Sequence, residues 1–285
     1  MKKNTISVAI SVKEYSAITI EVINSFQRQT LLPSDIVVVG EQVVLEKLKK
    51  KIKRSTLISY YNFFGDKNEA RNTAILKTKG DYVIFCDHDM VAASNLLEEC
   101  SKLLGKYNAL NVLEVGEKSR KLFKRIFKLE KEIVQTDSDA LTPRVFKKNL
   151  FDFGEKPFDK KFGVLDEWGF FTKLKNKNPK ISLVRNSHFK VKDEFSIFER
   201  IARSYKKGHS FKSLLEENKI GAKRRVNPFR RGIIVYSKNI NVLLKDPLAG
   251  VMLICIKSIE LIAFLVGLLS STYLIEKNGA YEKNL

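Results

Sequence analysis

The chain has 285 residues, 44% of them apolar and 29% charged, and this composition excludes wholesale disorder, a collagen-like chain and a disulfide-built miniprotein. Its 52 Lys and Arg residues outnumber its 32 Asp and Glu residues by 20, which predicts an anionic partner: nucleic acid, an acidic lipid surface or a phosphorylated substrate. The three cysteines, Cys86, Cys100 and Cys255, lack the spacing of a metal site, so we expect reduced thiols facing the cytosol.

The first part of the chain alternates between strand patterns and helix patterns. Short runs of β-branched and apolar residues predict strands at 5–12, 36–39 and 82–86. Helical spacing predicts helices at 15–28, 41–54 and 67–77, and a fourth that begins at the N-cap Ser94. This alternation predicts an α/β fold, with an open, mostly parallel sheet flanked by helices. Because ligands of such sheets bind at the carboxyl ends of the strands, we expect the chemistry there.

A basic stretch follows from about Phe195. Eleven Lys or Arg residues lie between Arg200 and Arg231, and only Glu216 and Glu217 oppose them. This excess favours basic helices on the cytoplasmic side of a membrane, attracted to anionic headgroups, over an ordinary solvated helical face. His209 is expected to begin a helix in this stretch.

A hydrophobic helical segment ends the chain. Residues 248–269 are long enough to cross a bilayer, but Lys257 and Glu260 interrupt them and can pair on one helix face. Three arrangements stay open: a spanning helix, a helix that re-enters or lies at the interface, and a soluble helix buried in an oligomer. We therefore divide the chain into a domain at 1–210, a basic helical linker at 211–246 and a membrane-associating segment at 247–285.

Two carboxylates follow the strand that ends at Cys86. Asp87 and Asp89 flank His88 and would point into the ligand crevice of the sheet. Carboxylate oxygens are the preferred ligands of Mg²⁺ and Mn²⁺, which also bind substrate phosphates. On its own this pattern is more often an ordinary acidic turn after a strand.

Further motifs accompany this turn. In chain order they are Asn68-Glu69-Ala70-Arg71-Asn72, Lys79-Gly80-Asp81-Tyr82, Thr142-Pro143-Arg144-Val145-Phe146, Phe151-Asp152-Phe153-Gly154 and Asp166-Glu167-Trp168. Their order and spacing over residues 5–210 resemble the family 2 glycosyltransferases, which have the GT-A fold. Two features depart from the family: Glu41 stands in for the acids that hold the nucleotide base, and the usual Glu-Asp motif is inverted as Asp166-Glu167.

The resemblance implies an inverting transfer of a sugar from a nucleotide-diphosphate sugar. Because the apolar tail and the basic stretch would hold the site near the cytoplasmic membrane face, we expect a hydroxyl of a lipid-linked or saccharide acceptor there. The resemblance also implies Mg²⁺ or Mn²⁺ as cofactor, with the ligands Asp89, Asp87 and His188. The implied donor-binding residues are Ser11, Glu41, Arg71, Asp87 and His88. Glu167, with Asp166 as the second choice, is the implied general base, and Trp168 is the implied acceptor contact.

Each of these roles has a structural alternative. Asp166 and Glu167 could simply cap a helix, and Arg71 could be a surface arginine. His188 and Trp168 could be ordinary structural residues. Two alternative functions also stay open: a non-catalytic basic protein that binds membranes or nucleic acid, and a metal-dependent nucleotidyltransferase. We expect no nucleic-acid partner, and a homo-oligomer through the C-terminal segment stays open.

Overall fold

The computed structural model describes residues 4–117, 119–137, 141–151, 154–192, 196–211 and 235–282. The chain forms two compact units that interleave along the sequence. The first unit comprises Met1–Glu117, Leu141–Phe158 and Lys173–Asp193, and the second comprises Lys118–Ala140, Asp159–Thr172 and Glu194–Leu285. The domain boundaries expected at 210 and 246 stay a prediction. The predicted basic helices between Lys212 and Arg231, and Asp152 and Phe153, lie outside the described residues.

One sheet of eight strands forms the centre of the first unit. The strands are β1 Ile6–Ser11, β2 Ile36–Gly40, β3 Ile58–Asn62, β4 Tyr82–Cys86, β5 Met90–Ala92, β6 Ala109–Gly116, β7 Val145–Lys147 and β8 Ile181–Val191. Their order is β3-β2-β1-β4-β7-β6-β8-β5, with β3, β2, β1 and β4 mutually parallel. Strand β7 runs antiparallel to both of its neighbours, and β5 forms an antiparallel edge on β8. This α/β sheet confirms the predicted fold class.

Ten helices are present among the described residues. They are α1 Ala17–Gln27, α2 Gln42–Lys51, α3 Lys67–Lys77, α4 Leu96–Ser101, α5 Leu122–Val134, α6 Asp166–Asn176, α7 Ile197–His209, α8 Val235–Lys238, α9 Ile240–Leu243 and α10 Pro247–Glu282. Two 3₁₀ turns lie at Lys148–Leu150 and Lys160–Leu165. Two predicted helix starts are wrong. Asn95, not Ser94, precedes α4. His209 ends α7 instead of beginning a helix, because the capping box of Ser196 and Glu199 begins α7 earlier in the chain.

Burial explains why the central strands form. Strands β1, β2 and β4 are covered on both faces, and every residue in them is buried. Such strands need continuous apolar runs, which Ile36–Gly40 and Tyr82–Cys86 supply. The three cysteines are unpaired, with Cys86 and Cys100 buried and Cys255 exposed.

Helices dominate the second unit. Ile126, Leu129 and Ile133 of α5 share a buried cluster with Leu253 and Ile256 of α10. A second cluster joins Phe162, Leu165, Phe211 and Phe264. The segment Pro247–Ser271 has a mean hydropathy of 2.3 and is, by length and composition alone, the one candidate membrane span among the described residues. The predicted hydrophobic C-terminal helix is confirmed.

Candidate active site

The carboxyl ends of three parallel strands bring several predicted residues to one edge of the sheet. Ser11 is the buried last residue of β1 and pairs in register with Val39 of β2. Glu41 directly follows β2, where it is exposed and precedes α2. The turn Asp87-His88-Asp89 follows β4, which pairs with the other side of β1. The first unit therefore brings these residues to the edge of the sheet at which the strand pattern predicts ligand binding.

Gly40 explains part of the departure from the family pattern. A Cβ atom at this position would lie 2.5 Å from Cγ2 of Val12 and 2.6 Å from its carbonyl oxygen. No side chain fits at the end of β2 without moving the backbone of Val12. Glu41 is therefore the first residue after this strand that can present an acid.

The buried Arg71 and the partly exposed Asp87 form an ion pair at this edge. Asp66 caps α3 by accepting hydrogen bonds from the backbone of Asn68 and Glu69, and this cap fixes the turn that carries Arg71. The Arg71 Nη2 donates to both Asp87 oxygens, at 2.5 Å and 2.8 Å. The guanidinium, whose residue is 3% exposed, also lies 4.9 Å from the ring centroid of Phe158.

Further cations surround Asp87. Lys67 Nζ lies 3.5 Å from one of its oxygens, and Arg144 Nη1 lies 3.9 Å from the other. Arg144 also donates to Glu114 Oε1 from Nε and Nη2, at 3.1 Å and 2.8 Å. Sequence reasoning named Arg144 only as part of a motif and missed Glu114. The Thr-Pro-Arg motif was a signal for Arg144, whereas the sequence contains none for Glu114.

The pKa values of the two aspartates shift in opposite directions. Burial works against ionisation of Asp87, but Arg71, Lys67 and Arg144 outweigh it and hold the pKa of Asp87 well below its ordinary value. Burial, and then the Asp87 carboxylate, raise the pKa of Asp89 above its ordinary value. Asp89, two residues from Asp87, therefore has its ionised form disfavoured, whereas the ionised form of Asp87 is stabilised by the cations around it.

A divalent cation fits this arrangement. Mg²⁺ is commonly held by one or two protein carboxylates, with substrate phosphates and water completing its shell. Among the described residues, no group of three or more His, Cys, Asp or Glu side chains could hold a metal ion. The predicted set of Asp89, Asp87 and His188 is therefore not assembled as a three-residue group. His188 lies half-buried on β8, and its role in metal binding stays a prediction.

The predicted base and acceptor residues belong to the second unit. Asp166 and Glu167 form the first turn of α6, as expected for acids favoured by a helix N-terminus. Asp166 is buried, and its Oδ1 accepts a hydrogen bond of 2.8 Å from the backbone N–H of Glu167. Trp168 is partly buried against the Phe162 cluster, 6.0 Å from Lys207 Nζ. Roles in catalysis for these residues stay predictions, as do those of His88, Ser11 and Glu41 in donor binding.

Comparisons with known proteins agree with this architecture. The model of the family described as glycosyl transferase family 2 matches residues 7–172. No curated protein matches the chain. A mannosyltransferase from Pyrobaculum calidifontis, PcManGT, solved with GDP-Man and Mn²⁺, is 14% identical, with a TM-score of 0.59 and coverage of 94% of this chain and 88% of that one. S. aureus TarS 1-349, solved in complex with UDP, is 15% identical, with a TM-score of 0.50 and coverage of 94% and 91%.

Proposed function

This chain belongs to glycosyltransferase family 2 and is a glycosyltransferase with a nucleotide-sugar donor, and from this premise we propose how it acts. The reaction is an inverting transfer. The acceptor oxygen attacks the anomeric carbon while the bond from that carbon to the nucleoside diphosphate breaks. The acceptor is a lipid-linked or saccharide hydroxyl at the cytoplasmic face of the membrane.

In this proposal, residues at the carboxyl ends of β1, β2 and β4 bind the nucleotide-sugar donor. Asp89, with Asp87 beside it, would hold Mg²⁺ or Mn²⁺, which would neutralise the negative charge of the leaving diphosphate. The Mn²⁺ in the PcManGT structure supports this choice of cofactor. Ser11, Glu41 and His88 complete the donor site in this proposal.

Arg71 has two tasks in the proposal. Its two hydrogen bonds to Asp87, at 2.5 Å and 2.8 Å, fix the orientation of that carboxylate before the donor arrives. Its guanidinium also adds positive charge below the diphosphate. A preorganised cation of this kind costs no rearrangement at the moment of reaction.

Glu167 is the proposed general base. It accepts the proton of the acceptor hydroxyl as the oxygen attacks the anomeric carbon. Asp166 is less suited to this task, because it is buried and already accepts a hydrogen bond from the backbone of Glu167. Trp168, the next residue of the same turn, offers an aromatic face to the acceptor.

One observation carries the proposal: the carboxylates Asp87 and Asp89 lie side by side after β4, and the pKa of Asp89 is raised by burial and by the negative charge of Asp87, which a bound cation would offset. The test is a donor screen on purified protein with Mg²⁺ or Mn²⁺ and a lipid-linked acceptor, following release of nucleoside diphosphate. We expect release from one donor, and its loss when EDTA removes the metal. Failure of every donor to react with folded protein would refute the proposal.

A substitution at the base separates chemistry from binding. In Glu167→Gln, the amide cannot accept the proton, so we expect the turnover rate to fall by about 10²-fold or more. The dissociation constant of the donor, measured by calorimetry, should stay nearly the same. Glu98→Gln, which removes an exposed acid on α4, is the matched control and should retain full activity. Full activity of Glu167→Gln would contradict the base assignment.

A further inference from the structure

Helix α10 has two different apolar faces. One face is buried within the second unit and includes Ala249, Leu253, Ile256 and Phe264. The other face is exposed to solvent along the same length. Its large side chains, each between 45% and 70% exposed, are Leu248, Val251, Ile254, Ile259, Ile262, Val266 and Leu269.

The two charges of this helix lie on the protein side. Lys257 Nζ binds Glu260 at 2.7 Å and also contacts Glu130 of α5. Arg200 of α7 donates to the same two acids, from Nη2 to Glu130 and from Nε to Glu260, both at 2.7 Å. These four residues form a closed network of two cations and two anions. The exposed face of α10 is therefore free of charge from Leu248 to Leu269.

The amphipathic helices α5 and α7 pack against α10 between its start and Ser270. Near its start, Arg125 of α5 binds Asp246 through two hydrogen bonds of 2.5 Å and 2.6 Å. Near the end of the apolar segment, the hydroxyls of Tyr205 and Ser270 lie 3.0 Å apart. Both α5 and α7 carry exposed charged side chains, such as Lys128 of α5, whose side chain is 40% exposed, and Arg203 and Lys206 of α7.

These neighbours decide among the three arrangements that the sequence left open. If α10 crossed a bilayer as it is packed here, α5 and α7 would enter the hydrocarbon with their charged side chains, which is strongly unfavourable. A buried core helix does not fit either, because only 22% of the apolar window is buried. A helix that lies along a membrane surface satisfies both observations.

We infer that α10 lies in the plane of an anionic membrane surface, with its exposed face among the acyl chains and its charged face on α5 and α7. Charge complementarity selects a lipid surface over a second copy of the chain, because eleven Lys or Arg residues against two acids lie between Arg200 and Arg231. Among the described residues, Arg203 and Lys206 of α7 are exposed and add positive charge to this unit. The inference deepens the membrane location in the proposed function, but it does not depend on catalysis.

Binding to vesicles tests the inference without any donor. Ile262→Glu places a charge on the exposed face, and Leu32→Glu, in a loop of the first unit, is the control at a similarly exposed site. On vesicles that mix phosphatidylglycerol with phosphatidylcholine, we expect Ile262→Glu to weaken co-sedimentation by about tenfold or more, and Leu32→Glu to change it little. Phosphatidylcholine alone should bind the unchanged protein more weakly. Equal binding of both variants, or a lipid-free dimer that Ile262→Glu dissociates, would overturn the inference.

A labelling experiment distinguishes a helix that lies on the membrane surface from one that spans the membrane. Its first step is Cys255→Ser, which removes the exposed thiol of α10. The added variant Asn284→Cys then introduces a thiol beyond the apolar segment, and Cys86 and Cys100 are buried and do not compete for the label. In the surface arrangement, a membrane-impermeant maleimide should label position 284 in inside-out vesicles from the expressing bacteria but not in intact cells. Labelling in intact cells alone would show that the helix spans, and would overturn the inference even if the vesicle assay succeeds.

Discussion

At the scale of single residues, the candidate site depends on how one carboxylate is compensated. Asp87 is surrounded by Arg71, Lys67 and Arg144, and Arg144 is in turn held by Glu114. This alternation of charges lets a partly buried acid stay ionised at the sheet edge. The neighbouring Asp89 is left as the carboxylate whose charge an incoming cation would balance.

Removal of Arg71 should therefore cost more than an exposed ion pair does. In Arg71→Met the partly buried Asp87 loses both hydrogen bonds from Arg71 Nη2, and we expect the free energy of unfolding to fall by about 3 kcal/mol. Lys156→Met is the control, because Lys156 is exposed and pairs with Glu69 at 2.9 Å on the surface of the same unit. Its effect should stay below about 1 kcal/mol. Urea titrations measure both, and equal losses would contradict this account of Asp87.

The sequence identified some residues of this cluster and not others, for a physical reason. Asp87, Asp89 and Arg71 lie in local motifs whose spacing is visible along the chain. The contact of Glu114 with Arg144 joins positions 30 residues apart and arises only because β6 pairs with β7. The residues near Glu114 and Arg144 in the sequence do not show which strands will pair.

At the scale of elements, helices α7 and α10 pack unusually closely through glycine. A Cβ atom on Gly208 would overlap the carbonyl oxygen of Phe264, and one on Gly267 would overlap the carbonyl oxygen of Tyr205. The two backbones therefore approach each other where a side chain would keep them apart. The hydrogen bond from Arg200 to Glu260 joins the same two helices.

Gly208→Ala tests this crossing because two effects oppose each other. Helix propensity alone would stabilise the variant by about 1 kcal/mol. The steric overlap should instead lower the free energy of unfolding by about 1–3 kcal/mol. Ser258→Ala, at an exposed position of α10, should change it by less than about 0.5 kcal/mol. A stabilised Gly208→Ala in urea titrations would show that the helices do not pack as described.

The ionic network on α5, α7 and α10 predicts a dependence of stability on acid pH. Burial disfavours ionisation of Glu130, but Lys257 and Arg200 outweigh this effect and hold its pKa at about 2, against 4.5 ordinarily. A carboxylate with a depressed folded pKa contributes stability above about pH 4.5, and the contribution is lost as the pH falls towards 2.

Glu130→Gln should remove this acid-sensitive contribution. We expect the variant to be less stable at neutral pH, by an amount on the order of 3 kcal/mol, and to lose less stability between pH 4.5 and 2 than the unchanged protein does. Glu132→Gln, on the more exposed side of the same helix, should keep the original pH profile. Thermal unfolding across this pH range makes the comparison, and identical profiles for all three proteins would contradict the network.

Elements were predictable to different degrees. The predicted bounds of α3 and β4 agree with the structure, because capping and a continuous apolar run mark them locally. Strand β3 was missed, because none of its residues is buried and it lacks the buried-strand pattern. The arrangement of α10 stayed open because the partners of its charges, Glu130 and Arg200, lie on other helices.

At the scale of the whole molecule, the function of the part that matches the family is inferred from its motifs, and that of the rest of the chain from its packing and charge. The family match covers residues 7–172, and within it the order of motifs was enough to predict fold and enzyme class. Helices α7 and α10 lie beyond the match, so only their packing and charges inform us about them. The net charge of +20 also depends on this remaining part of the chain, because the basic stretch that precedes the apolar helix lies beyond the family match.

The most direct test of the central claim is the nucleoside diphosphate release of Asp89→Asn with the donor that the screen identifies. This variant keeps the size of the side chain but removes the charge that the cation requires. We predict that metal-dependent release falls by at least about 10²-fold, while the unfolding transition is retained and Glu98→Gln stays active. Release by folded Asp89→Asn at the unchanged rate, with the same dependence on Mg²⁺ or Mn²⁺, would contradict the account.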